Sequence, residues 1–383
     1  MEFDLSWILL GLPLAFALGW LASRLDIRQL RIESRRTPKA YFKGLNHLLN
    51  EQQDQAIDAF IEAVQHDPDT SELHFALGNL FRRRGEYERA VRVHQHLLAR
   101  GDLSQAERDR AQHALALDYL KAGLLDRAEE ALRKLEHTAF ESQAHLALLS
   151  IYERSRDWSH AYEIAEKLNH SNQGSFNQRM AHYLCEQAEA LQADTDHARM
   201  AQLLTQAMAI APQAPRPRMA LAQLQEATGH TAEAYDTLMA LTEQIPSAWP
   251  LAAAPIARLA MALARAADTV TVLERAYDAH RSLDLLNAVV QLHDHLGHRG
   301  SQQWYARHLQ HEPSLVAAAQ WLAQEPATQP ELQALVRRAL QRATQPLQRY
   351  RCAACGFEAS QHFWQCPGCQ TWDSYPMRRV EEL

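Results

Sequence analysis

A 34-residue spacing between small side chains constrains this sequence more than any other feature. Gly44 and Ala56 are followed 34 residues later by Gly78 and Ala90, and large apolar residues recur around them as far as Pro246. Repeats of this length fold as two helices that cross where the side chains are small, while the large apolar residues fill the contact with the next repeat. Because no single repeat is stable alone, the chain must stack several.

The pattern resembles the tetratricopeptide repeat. Four repeats run in near-continuous register from 44 to 168, two more follow between 188 and 246, and the signal then decays into helical patterns between 256 and 343. The resemblance implies an all-α fold, a right-handed solenoid of about eight or nine repeats whose concave face binds a segment of another protein. Consensus geometry would place nine residues on that face: Tyr41, Phe75, Asn79, Arg82, Arg83, His113, Arg154, Arg216 and Met219.

Four of the five cysteines follow the pattern C-x2-C-x10-C-x2-C, at Cys352, Cys355, Cys366 and Cys369. Two such turns complete a tetrahedron of thiolates around one ion, with metal to sulfur distances of about 2.3 Å. The roughly 30 residues around them are too few for a hydrophobic core, so we expect the ion to supply folding free energy. A redox pair would need only one cysteine pair between a strand and a helix. The spacing leaves iron and zinc open.

The segments "CAACG" and "CPGC" resemble the metal-binding turns of rubredoxin, although the gap between them is shorter and Gln370 replaces the usual glycine. The resemblance implies a small rubredoxin-like or zinc-ribbon domain. Its many aromatic residues are expected to cover the turns and to pack the domain on the last helices. The fifth cysteine, Cys185, is expected to be buried and inert.

Near the N-terminus, the 19 residues from Leu5 to Ser23 carry no charge. As a helix they would span about 28 Å, close to the roughly 30 Å of a bilayer core. Glu2 and Asp4 precede this stretch, whereas Arg and Lys residues follow it. The pattern predicts a single-pass signal anchor with the N-terminus outside and the main body in the cytoplasm. The basic segment 24–36 lies either on the anionic leaflet or in a solvated stalk.

Charge and missing motifs exclude several classes of function. A net charge of −7 argues against a dedicated nucleic-acid binder. The sequence has no phosphate-binding glycine loop, no nucleophile elbow and no metalloprotease histidine pair, so no catalytic residue and no enzymatic activity are predicted. The basic run 336–351 is interpreted as a charged helix face lying over the preceding repeats rather than as a contact with acidic lipid or RNA.

The predicted domains are an anchor at 1–23, a basic juxtamembrane segment at 24–36, the repeat solenoid at 37–347 and the metal-binding domain at 348–383. Their combination and order resemble the lipopolysaccharide assembly protein B family of Gram-negative bacteria over the whole chain. What matches residue by residue is the four cysteines, as metal ligands, and Leu5 to Ser23, as anchor. The resemblance favours iron as the bound ion.

The family implies an inner-membrane adaptor that restrains lipopolysaccharide synthesis. Its partners would be a membrane AAA+ metalloprotease (FtsH-like), the deacetylase that commits carbon to lipid A and that this protease degrades, and other lipopolysaccharide synthesis and assembly proteins. Two alternatives stay open at this point, a rubredoxin-type electron-transfer protein and a general scaffold for envelope enzymes. The sequence does not decide between a monomer and a homo-oligomer.

Overall fold

The chain folds into consecutive helices followed by a small C-terminal module. The computed structural model describes residues 15–20, 42–67, 69–170, 174–191, 196–298, 300–325 and 330–383. Contacts divide the chain into two compact units, unit 1 at Met1–Ser155 and unit 2 at Arg156–Leu383. The helices have the all-α, tetratricopeptide-like arrangement that the repeat predicts. The predicted domain boundaries after residues 23, 36 and 347 stay predictions.

In unit 1, each helix packs against the next one in the chain from α2 onward, and α3 also contacts α5. The helices are α1 (residues 42–49), α2 (Gln53–His66), α3 (Ser71–Arg84), α4 (Tyr87–Ala99), α5 (Gln105–Lys121), α6 (Leu125–Arg133) and α7 (Glu141–Ser155). Local signals set their ends. Gly85 ends α3 in a left-handed conformation with φ of +83°, and Ser104 with Glu107 forms a reciprocal capping box at the start of α5.

The small residues of the repeat lie where helices come closest. Ala56 and Ala90 are fully buried, as the spacing predicts. A Cβ atom added to Gly78 would lie 2.5 Å from the ring of His94. That ring is fully buried, and its Nδ1 lies 2.5 Å from Oδ2 of Asp118. Because the ring has this second, buried attachment, it cannot move aside freely, and α3 and α4 can pack this closely only with glycine at position 78.

Unit 2 is also built of consecutive helices, which extend past the residues where the repeat signal fades. Its helices are α8 (Trp158–His170), α9 (Asn177–Ala190), α10 (His197–Ile210), α11 (Pro215–Ala227), α12 (Thr231–Gln244), α13 (Trp249–Ala262), α14 (Ala266–Ala279), α15 (Leu283–His295), α16 (Ser301–His311), α17 (Leu315–Ala323) and α18 (Pro330–Thr344). Helix α13 contacts α12, α14 and α15. Helix α13 is therefore apolar on most sides. Its sequence lacks the one-sided apolar pattern of a surface helix.

The chain ends in a module with little regular structure. Strands β1 (Tyr350–Arg351) and β2 (Glu358–Ala359) pair antiparallel, with Tyr350 opposite Ala359. A short 3₁₀ turn at Val380–Glu382 closes the chain. The module belongs to unit 2 and holds all four clustered cysteines.

The predicted anchor at 5–23 lies outside the described residues except for 15–20, which are helical. Within the described ranges, no helix combines the length and the apolar character needed to cross a bilayer.

The contact at Gly78 predicts a specific loss of stability. Gly78→Ala places a methyl group against the His94 ring and overpacks the α3–α4 crossing, which typically costs about 1–3 kcal/mol. Alanine gains at most roughly 1 kcal/mol over glycine in a helix. The cost of overpacking outweighs this gain. We therefore expect Gly78→Ala to lower the free energy of unfolding of unit 1, which urea denaturation measures. Faster amide exchange in α3 and α4 would locate the loss at this crossing. Gly101→Ala, whose added methyl meets nothing within 4 Å, is the control. Equal stability of the two variants would contradict the packing argument.

Candidate metal centre

Two turns of the same design hold the four cysteines. In the first, the Gly356 N–H donates to the Cys352 carbonyl at 2.9 Å, and in the second the Gln370 N–H donates to the Cys366 carbonyl at 2.8 Å. Gly356 has φ of +79° and Gln370 has φ of +60°. Gln370 thus adopts the left-handed conformation that glycine usually supplies, at a cost on the order of 1–2 kcal/mol. The departure from the rubredoxin pattern leaves the turn intact.

The four sulfur atoms converge on one point. All Sγ atoms lie within 4.8 Å of one another. The Cys352 and Cys369 sulfurs are 3.8 Å apart, and those of Cys355 and Cys366 are 3.7 Å apart. A tetrahedral ion with bonds of about 2.3 Å requires sulfur separations of about 3.8 Å. The four cysteines are therefore positioned to bind one metal ion.

The thiols have unequal tendencies to ionise. Burial of Cys352 opposes its thiolate, but the Ser374 hydroxyl and the backbone amides of Cys355 and Ala354 favour it and lower its pKa to about 6. The Thr371 hydroxyl and amide lower the pKa of Cys369. At Cys355 the Phe357 amide favours the thiolate, but desolvation and the neighbouring sulfurs outweigh it and raise the pKa to about 12. Four thiolates at this spacing need a cation to balance their charge.

The edge of the module that follows the last cysteine docks on α9. The Trp372 ring stacks on the His182 ring, with centroids 4.7 Å apart, and meets the edges of Trp158 and Tyr183 at 5.9 and 6.0 Å. Next to it, both Asp373 carboxylate oxygens lie 2.9 Å from His182 Nε2. His182 is buried. The module therefore also packs on α9 in the middle of the chain, a contact that the sequence did not predict.

The same docking covers a buried charge. Arg216 of α11 donates to Glu186 at 2.7 Å and to Glu189 at 2.9 Å, and its guanidinium lies 5.9 Å from the centre of the Trp372 ring. Only 4% of Arg216 is exposed. A buried arginine needs such partners because an unpaired charge in the interior is costly. Arg216, one of the residues predicted on the concave face, is thus buried beside Trp372 of the C-terminal module.

The last residues of the chain attach the module a second time, through Glu381. Its carboxylate accepts hydrogen bonds from the N–H groups of Leu315 at 2.6 Å and Val316 at 3.1 Å, and from the Ser314 hydroxyl at 2.7 Å. These groups form the N-terminus of α17. A carboxylate is stabilised there because the first N–H groups of a helix have no partner within it.

Glu382 and Arg379 attach the tail to α15. Glu382 accepts from the Leu283 N–H at 2.6 Å. Arg379 forms a two-pronged ion pair with Asp284, with nitrogen to oxygen distances of 2.8 and 2.9 Å. The sequence does not predict these contacts or the contact between His182 and Asp373. The only sequence signal for them is the position of charged residues directly after the metal-binding turns.

The other predicted groove residues have mixed surroundings. Arg83 and Arg154 are exposed, whereas Phe75 is buried under the Arg110 guanidinium. Arg82 forms an ion pair with Asp118 at 2.7 Å and also donates to Asn79.

His113 is half-buried and stacks on Phe140 at 4.9 Å. Met219 packs against the core of unit 2. Tyr41 lies outside the described residues. Cys185 is buried, as predicted, and burial raises the pKa of its thiol to about 12.

Comparison with protein families identifies both parts of the chain. Residues 350–375 match the family described as "Rubredoxin metal binding domain", and residues 73–108 and 190–259 match tetratricopeptide repeat families. A tetratricopeptide repeat protein of known structure from Parabacteroides merdae is similar over 67% of this chain and 98% of its own, with 13% identity and a TM-score of 0.34.

Two curated relatives match the chain nearly end to end. Lipopolysaccharide assembly protein B of Escherichia coli (strain K12) is 31% identical over 391 residues, which cover 99% of this chain and 100% of the relative. The protein of the same name from Haemophilus influenzae is 27% identical, covering 96% of each.

Removing one sulfur ligand should unfold the module. Cys366→Ser leaves three thiolates, and structural zinc sites of this kind contribute on the order of 10 kcal/mol of folding free energy. We expect loss of the bound ion, measured by elemental analysis, and rapid protease cleavage within 350–375, while the helices keep their circular dichroism. Cys185→Ala, which removes the cysteine outside the cluster, should retain the ion. An unchanged digestion pattern in Cys366→Ser would rule out a structural ion.

Docking should depend on Trp372 without affecting the metal. Truncating a buried tryptophan typically costs about 3–5 kcal/mol, so Trp372→Ala should release the module from α9 while the ion stays bound. Faster amide exchange in α9, together with an unchanged metal content, is the expected result. Phe357→Ala removes a side chain of the same module that is 45% exposed, and it should leave α9 unaffected. Unchanged α9 exchange in Trp372→Ala would contradict this view of docking.

Proposed function

Because this chain belongs to the lipopolysaccharide assembly protein B family, we propose that it acts in lipopolysaccharide assembly as a protein-binding adaptor and not as an enzyme. The observation that carries the proposal is the 31% identity with the Escherichia coli relative over essentially the whole of both chains. Identity of this extent includes the repeats and the metal-binding module in the same order.

The adaptor would bring a membrane AAA+ metalloprotease together with the deacetylase of lipid A synthesis and so promote degradation of the deacetylase. A helical repeat stack supports this role because it offers a long surface for a segment of another protein. In unit 1, Arg83 and Arg154 are exposed and suit an acidic segment of the deacetylase. In unit 2, the docked module covers Arg216, so we propose that partners bind the helices of unit 1.

We assign residues 1–23 as a single-pass anchor in the inner membrane, with a periplasmic N-terminus and a cytoplasmic body. The uncharged stretch and the basic residues after it support this topology. Within residues 15–20, Phe16 and Leu18 are helical and exposed, as side chains facing lipid would be. A short tether of this kind raises the local concentration of the partners to the millimolar range or so.

The proposed role of the metal is structural. Cys352, Cys355, Cys366 and Cys369 would hold one ion, and the ion would keep the module folded and docked on α9, α15 and α17. The rubredoxin resemblance favours iron, which a visible absorption spectrum distinguishes from colourless zinc. Elemental analysis of the purified chain identifies the ion directly.

Removing the anchor should abolish the regulation. In cells that lack their own copy of the gene, a chain without residues 1–23 should leave the deacetylase several-fold more abundant and longer-lived than the full chain does. The deacetylase half-life is measured by pulse-chase labelling. Unchanged circular dichroism of the shortened chain shows that the helical part still folds.

Replacing the anchor separates tethering from direct contact in the bilayer. We expect an unrelated single-pass helix in place of residues 1–23 to fail to restore degradation, because the anchor itself contacts the protease. Full restoration would mean that tethering alone suffices. Normal deacetylase turnover without any anchor would overturn the tether, and conversion of a lipid A precursor by the purified chain alone would overturn the adaptor.

A further inference from the structure

The last helix of the stack, α18, packs against α17 through only one of its faces. The Gln333 amide donates to the Glu325 carbonyl at 2.9 Å, and the Arg337 guanidinium donates to the Ala323 carbonyl at 2.8 Å. Thr344 on the same face is buried. Residues 333, 337 and 344 are spaced so that they share one side of a helix, and this side faces the preceding helix.

A second face of α18 carries an apolar stripe that faces solvent. It consists of Leu332, Leu335, Val336, Ala339 and Ala343, at spacings i, i+3, i+4, i+7 and i+11. The three large side chains are 55%, 59% and 39% exposed. The terminal helix of a repeat stack normally has a polar outer face because no further repeat covers it. Nothing in the part of the chain that the structure describes covers this stripe.

Two arginines lie along one edge of the stripe. Arg338 and Arg342 are exposed, and neither forms an ion pair or hydrogen bond with a described residue. The acidic residue of this helix is Glu331, so α18 carries three arginines against one glutamate. The interpretation of the basic run 336–351 from the sequence is a charged helix face lying over the preceding repeats. For Arg338 and Arg342 that interpretation is wrong, since the side facing α17 holds other residues.

We propose that α18 binds the surface of an anionic lipid bilayer, with the stripe among the headgroups and Arg338 and Arg342 at the lipid phosphates. Apolar residues on one side and arginines beside them are the features of a helix that lies in the plane of a membrane surface. The contact rests on the proposed membrane anchoring, which would keep the chain beside the lipid.

Charge and size favour lipid over a second copy of the chain. Two α18 helices packed stripe to stripe would bring two helices of net positive charge together, which is repulsive. Two leucines and a valine also cover much less than the roughly 800 Å² per partner that a stable protein interface buries. A bilayer needs no matching surface and supplies the opposite charge.

The contact is weak by itself and becomes effective through the tether. Each arginine near an anionic surface strengthens binding about fivefold. The three large apolar side chains of the stripe add a modest further gain in binding free energy. For a chain already anchored, this weak binding suffices because the helix and the bilayer stay at high effective concentration.

The test measures amide exchange of residues 330–344 in the full chain, reconstituted into nanodiscs of phosphatidylcholine with or without phosphatidylglycerol. We expect exchange at least about fivefold slower in the anionic discs, with the difference shrinking at high salt. Leu335→Asp, and separately Arg338→Glu with Arg342→Glu, should abolish the slowing. Gln341→Glu, on the side of α18 away from the stripe, should retain it. Unchanged exchange of α17 in each variant verifies the fold.

Equal exchange in the two kinds of disc would overturn the proposal while leaving the anchor intact. Exchange that is slow in uncharged detergent and slows further with protein concentration would show that a second copy of the chain covers the stripe. That result would also overturn the proposal. A chain that separates from the discs would overturn the anchor and this contact together. The adaptor role is tested separately, by deacetylase half-life in cells.

Discussion

The negative charge of four clustered cysteine sulfurs is the main constraint on the C-terminal module of this protein. The sulfurs lie within 4.8 Å of one another, and their surroundings lower the pKa of Cys352 while they raise that of Cys355. A fully ionised cluster therefore requires a cation. The module is too small to fold by hydrophobic burial alone, and the structural role proposed for the ion would make the positions of Trp372 and Asp373 depend on it. Under that proposal, loss of the ion would also disturb the contacts of these two residues with His182 of α9 and Arg216 of α11.

The docked module completes unit 2. Before docking, His182 would lack its carboxylate partner, and the Arg216 guanidinium would lack the aromatic ring that covers it. Removing one partner of a buried ionic group is costly because it leaves the other charge uncompensated. The helices of unit 2 thus bind the chain's own C-terminal module, and the surface proposed for partners lies on the helices of unit 1.

The sequence predicted what depends on local spacing. The alanines of the helix crossings and the two cysteine turns follow from residue type and interval, and the structure confirms both. The sequence pattern does not clearly reveal helix α13, because several neighbouring helices surround it and its apolar residues are not confined to one side. The contacts of Asp373 with His182 and of Glu381 with α17 join positions 191 and 65 or more residues apart. No short-range pattern reports such contacts, so only the fold reveals them.

The tail contacts also have a consequence for how the protein is made. Ribosomes release the N-terminal part of a chain first, and helices begin to pack as they emerge. Helices α9, α15 and α17 are translated long before Trp372, Glu381 and Glu382. Until those residues are made, the helix groups that they contact lack these partners. Only a chain translated through Glu382 can make all of these contacts. A product that ends before Trp372 would leave the polar groups on all three helices without these partners.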